Sequence, residues 1–67
     1  MGINYKPLWK LLIDRDMTRS QLRELAGIST RALAKLGKNE DVSTDVLRKI
    51  CIVLDCSFSD ILELTND

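Results

Sequence analysis

Histidine is absent from this 67-residue chain, and cysteine, the other soft metal ligand, occurs only twice. A structural zinc site takes about four such ligands, so Cys51 and Cys56 cannot close one alone. With no histidine, no cysteine beside a base, no phosphate loop and no metal cluster, there is nothing from which to assemble a catalytic site. The chain therefore reads as a non-enzyme without a cofactor. One proline and three glycines leave few breakers, and helix formers are common, which favours an all-helical fold. No apolar run is long enough to cross a bilayer, and the N-terminal MGINYKPLWK lacks the apolar region of a signal peptide. A cytoplasmic location is expected, with both cysteines reduced and acting as small apolar residues. What the chain does have is apolar content, 45% of its residues, enough for one small folded domain over residues 1–67. It has no internal repeat, low-complexity tract or interdomain linker.

Net charge is zero, which at first counts against a nucleic-acid partner, but the charges are segregated. Residues 15–38 hold Arg15, Arg19, Arg23, Arg31, Lys35 and Lys38 against only Asp16 and Glu24, a surplus of four positive charges. Residues 39–67 hold Arg48 and Lys49 against seven acids, a deficit of five. Such a layout orients the middle of the chain toward anions and turns the far side away. The acids Glu40, Asp41 and Asp45 read as loop solvation and helix-start charges, not as a catalytic pair.

The basic middle carries the most informative pattern, TRSQLRELAGISTRALAKL over residues 18–36. Leu22, Leu25 and Ala26 recur at i, i+3 and i+4, which makes one helical stripe. Ala32, Leu33 and Leu36 make a second. Between them Gly27 can take the left-handed conformation that ends a helix, and apolar Ile28 follows it. Thr18 and Ser29 are natural N-caps for the two helices. A turn this short sets the helices at a steep angle, the geometry of a helix-turn-helix.

At the spacing of Leu22, Ala26, Gly27, Ile28, Ser29, Leu33 and Leu36, the chain resembles the lambda-repressor-like DNA-binding domains of the Cro and Xre type. The resemblance extends over most of the chain, through the flanking helices and the LGKNEDVS link. It implies an all-α, five-helix bundle whose second motif helix lies in the DNA major groove. Carried over position by position, Ser29, Thr30, Arg31, Ala34 and Lys35 face the base edges, while Ala32, Leu33 and Leu36 face inward. Arg31 has the fork geometry for guanine O6 and N7, worth about 1–3 kcal/mol of base discrimination. Thr18 and Arg19, at the N-terminus of the first motif helix, and Lys38 and Asn39, just past the second, are the candidate phosphate contacts. One position departs from the family. A small residue, often Ala, usually stands four before the turn glycine, and here it is Arg23, whose stem can lie along the packing edge with its head in solvent.

The flanks complete the expected bundle. A first helix spans about Tyr5 or Lys6 to Arg15, with Pro7 in its first turn and Leu8, Leu11 and Leu12 as its stripe. Tyr5, Trp9 and Ile13 broaden that stripe, Trp9 as core or flank packing. Met17 is placed to staple against Leu22. The third helix should end at Gly37, and Val42 tethers the loop that follows. Ser43 caps a fourth helix, the most buried, with Val46, Leu47, Ile50, Cys51, Val53 and Leu54 inward. The S-x-x-D pair Ser57 and Asp60 opens a short fifth helix to about Leu64, on a stripe of Phe58, Ile61 and Leu62, and residues 65–67 fray.

The resulting expectation is sequence-specific double-stranded DNA binding by a small transcriptional regulator, most simply a repressor. A palindromic operator and a homodimer through the C-terminal helix, at Phe58, Ile61 or Leu64, fit that reading. The alternative is a protein-interaction module on the same fold, antitoxin-like or an anti-repressor, using its acidic half. No ligand-binding domain is expected, so regulation would come from concentration, a partner or degradation.

Overall fold

The computed structural model describes residues 2–66. It places four α-helices in order: α1 (Lys6–Asp14), α2 (Arg19–Ala26), α3 (Thr30–Gly37) and α4 (Thr44–Leu54). A single 3-10 turn follows at Phe58–Asp60. Two three-residue strands close the molecule, β1 (Gly2–Asn4) and β2 (Glu63–Thr65), paired antiparallel with Ile3 opposite Leu64.

Each helix starts where a side chain satisfies its free amides. The Thr18 hydroxyl accepts from the Gln21 N–H (3.1 Å) while the Gln21 side chain accepts from the Thr18 N–H (2.8 Å), a reciprocal capping box. Ser29 and Ser43 cap α3 and α4 by accepting from Ala32 (3.0 Å) and Val46 (3.2 Å). At α1 the Asn4 side chain accepts from the Lys6 N–H (3.2 Å), and Pro7 sits in the first turn, as its missing N–H requires.

All four helices end by one device. A residue at positive φ follows each of them: Asp16 (53°), Gly27 (68°), Asn39 (58°) and Asp55 (51°). The next amide then reaches back to a carbonyl five residues earlier, Met17 to Leu12, Ile28 to Arg23, Glu40 to Lys35 and Cys56 to Cys51, at 2.9–3.2 Å. Three of the four closures use Asp or Asn, the non-glycine residues that tolerate this region best. α3 ends at Gly37 as expected, but Gly37 itself is still helical, and the left-handed turn is made by Asn39.

The core is Tyr5, Leu8, Leu12, Leu22, Ala26, Ile28, Leu36, Ile50, Cys51, Leu54 and Ile61, with no buried polar side chain among the described residues. α4 packs across α2, and the 3-10 turn fills the gap between α4 and α1. Burying a Leu or Ile side chain is worth about 1.5–3 kcal/mol, so these contacts hold a chain this small. Three expected core residues are exposed or at the margin. Leu25 is 63% and Ile13 73% exposed, and Phe58 is 42% exposed.

The fifth helix does not form. The Asp60 carboxylate does accept from the Ser57 N–H (3.0 Å) and hydroxyl (3.1 Å), so the S-x-x-D start is real, but it opens only one 3-10 turn. Of its stripe only Ile61 is fully buried. Beyond it the backbone of Glu63, Leu64 and Thr65 finds partners on β1, which a helix on a narrow apolar stripe cannot better. A Cβ on Gly2 would lie 2.7 Å from the Thr65 hydroxyl, so a larger residue there would require the Thr65 side chain to turn away. Thr65 is therefore in a strand and not fraying; Met1 and Asp67 lie outside the described residues.

Candidate nucleic-acid interface

α2 and α3 meet at Gly27, whose left-handed backbone allows the amides of Gly27 and Ile28 both to donate to the Arg23 carbonyl (3.0 and 3.2 Å). Ile28 drops into the core and pins the turn from below. Arg23 is accommodated: its side chain is one-third exposed, with the guanidinium 3.8 Å from Glu24.

With Leu36 fully buried and Ala32 packed on the core, α3 can present only its other side. Ser29, Thr30, Arg31 and Ala34 are exposed, and Lys35 is half-buried at the edge of the same surface. The Ser29 hydroxyl serves as the α3 cap through its lone pair, which leaves its hydrogen free to donate. Sequence reasoning did not identify the second wall of this surface. Val42, Ser43 and Val46 from the loop and the start of α4 close a shallow groove with Ser29, Arg31, Ala32 and Lys35.

The four candidate phosphate contacts fall into two kinds. Thr18 and Arg19 are exposed at the start of α2 and Lys38 at the end of α3. Asn39 is exposed too, but its side-chain oxygen accepts from the Tyr5 N–H (3.2 Å), and its backbone makes the left-handed turn, so much of it is structural. Tyr5 adds a second tie to the same loop, its hydroxyl donating to the Glu40 carbonyl (2.8 Å). Burial, helped by the nearby Asp41 charge, pushes the Tyr5 phenol above its ordinary range.

Among the described residues, the ion pairs are Arg23 with Glu24, and Asp45 with Arg48 and Lys49. Hydrogen bonds from Arg48 and Lys49 hold the Asp45 carboxyl below its usual range. The cations of α4 are thus matched at home, while Arg19, Arg31, Lys35 and Lys38 have no carboxylate partner among the described residues. Arg19 instead stacks on Trp9, its guanidinium carbon 3.8 Å from the ring centroid.

Cys51 and Cys56 are free thiols at the closing turn of α4, and burial raises the Cys51 thiol to about 11. Such a thiol is inert at neutral pH. Among the described residues no group of His, Cys, Asp and Glu is placed to hold a metal ion, and no helix is long and apolar enough to cross a membrane.

Residues 7–67 match the family model of the Cro/C1-type helix-turn-helix DNA-binding domain. The chain belongs to this family. Its helix-turn-helix is the α2–α3 pair, and the matched region runs on through α4 and β2. Among solved structures, this Cro/C1-type domain is similar to the transcriptional regulator VanUg, with 53% identity and a TM-score of 0.95. That match covers 98% of this chain and 88% of the VanUg chain. No curated protein matches the chain.

Proposed function

We propose that the 67 residues act as one DNA-binding unit, a small transcriptional regulator that represses by occupying a specific duplex site. The observation that carries this reading is the outward face of α3, exposed and basic, with no carboxylate partner at Arg31 or Lys35 among the described residues. Set in the major groove, that face offers Ser29, Thr30, Arg31, Ala34 and Lys35 to base edges. Thr18, Arg19, Lys38 and Asn39 flank it toward the backbone, Asn39 through the amide nitrogen that its contact with Tyr5 leaves free. The likeness to a protein titled a transcriptional regulator supports the regulatory role.

Two cationic backbone contacts per copy give a log–log salt slope of about −1.8, and about −3.6 for a dimer. A palindromic operator read by two copies follows from how little specificity one small module provides. Of the expected dimer contacts, Ile61 is fully buried and unavailable, which leaves the exposed Phe58 and Leu64.

The test is selection from random duplex DNA at low and near-physiological salt, with sequencing of the bound fraction. Enrichment of a short palindromic motif that is lost in Arg31→Ala is the expected result. No enrichment and no salt-sensitive binding would refute it and favour a protein partner for the acidic half.

A further inference from the structure

The Arg19 guanidinium sits where three helices meet. It starts from the first residue of α2, sits over the Trp9 ring of α1 with its carbon 3.8 Å from the centroid, and brings Nη1 to 3.4 Å from where a Cβ on Gly37 of α3 would be. We propose that Trp9 is a positioning residue for DNA: its ring holds Arg19 ready for a backbone phosphate beside Lys38. This rests on the DNA-binding reading above.

The geometry suits that task. Stacking occupies a face of the guanidinium, whereas its N–H groups point outward in the plane, so the fork that recognises a phosphate stays open. A free arginine has several rotatable bonds to fix when it meets an anion. Here much of that ordering exists before DNA arrives, which favours association. The holder is also neutral. A carboxylate in the same place would fix the side chain equally well but cancel the charge the phosphate needs. Gly37, which precedes the exposed Lys38, contributes by leaving its side of the Arg19 guanidinium uncrowded.

A double-mutant cycle on DNA affinity tests the proposal, using the selected duplex. Trp9→Leu should weaken binding about two- to fivefold, the range of an exposed cation–π contact. It should cost nothing further in an Arg19→Ala background. Arg19→Ala should also flatten the salt slope by about 0.9, the loss of one phosphate contact, whereas Trp9→Leu, which keeps the charge, should leave the slope near the wild-type value. Trp9→Phe, which keeps an aromatic face, should recover most of the affinity. Additive effects of Trp9→Leu and Arg19→Ala would overturn the proposal and leave the DNA-binding reading standing. Absence of salt-dependent binding in the wild type would remove both. Should Trp9→Leu fail to fold, Arg19→Lys asks the same question, since it keeps the charge but not the planar stack. A lysine there that binds as tightly as arginine would overturn the proposal.

Discussion

Tyr5→Phe isolates the tie between the N-terminal strand and the loop that leaves α3. Tyr5 is 0% exposed, and its ring packs in the core, so phenylalanine keeps the packing and removes one hydroxyl. The lost bond, 2.8 Å to the Glu40 carbonyl, is neutral and partly buried, which sets its contribution at about 1 kcal/mol. In a domain this small, 1 kcal/mol moves the unfolding midpoint by about 4–8 °C. The pH dependence supplies a second, independent check. Because the folded phenol titrates above its ordinary value, the native state holds that proton more tightly than the unfolded chain. Its stabilisation is complete below about pH 10, the unfolded value, and is lost as pH rises through the folded value. The gap between wild type and Tyr5→Phe, measured by urea unfolding, should therefore be constant near neutrality and narrow in alkali. A midpoint change under about 2 °C would show that the hydroxyl contributes little. A gap that widens above pH 10 would refute the assignment of the raised phenol.

Two glycine replacements should act in opposite directions. Gly27→Ala meets no atom within 4 Å, so its whole cost is the left-handed backbone, about 1–2 kcal/mol, partly offset by a less disordered unfolded chain. Gly37→Ala lies in right-handed helix and should stabilise by up to about 1 kcal/mol, less whatever the Arg19 guanidinium must yield; the same sign for both in urea unfolding would contradict this account. Under reducing conditions, burial of Cys51 predicts a stability loss from about pH 9, where the unfolded thiol ionises, up to about 11, where the folded one does. Cys51→Ala should start less stable at neutral pH but lose less across that window, and an equal loss would refute the assignment.

The helix-turn-helix was legible because its signals are local. Thr18, Gly27 and Ser29 mark ends by chemistry that acts within a turn, and Leu22 with Ala26 sets the buried face. Misplaced side chains follow from reading that stripe too widely. At about 100° per residue, Leu25 and Arg23 lie on opposite flanks of the Leu22–Ala26 midline. The flank of Arg23 is the better covered, its side chain only 34% exposed, while Leu25 faces outward. Ile13 lies further still from the Leu8–Leu12 face of α1. The C-terminal segment departs from its helical pattern for a different reason. Phe58, Ile61 and Leu62 have helical spacing, but the residues just beyond them pair with a strand at the far end of the chain, which no local pattern announces.

The same division explains the interface. The outward residues of α3 follow from its periodicity, because whatever is opposite Leu36 must face solvent. The groove wall from Val42 to Val46, the Tyr5–Asn39 tie and the Trp9–Arg19 stack join residues distant in sequence, and each depends on how finished helices dock. Charge segregation along the chain was visible, yet its meaning changes with pairing. Asp45 takes up both cations of α4, whereas Arg19, Arg31, Lys35 and Lys38 pair with no acid among the described residues. Zero net charge is therefore compatible with DNA binding here: surface ion pairs add little stability, but which cations they consume decides where a phosphate is attracted.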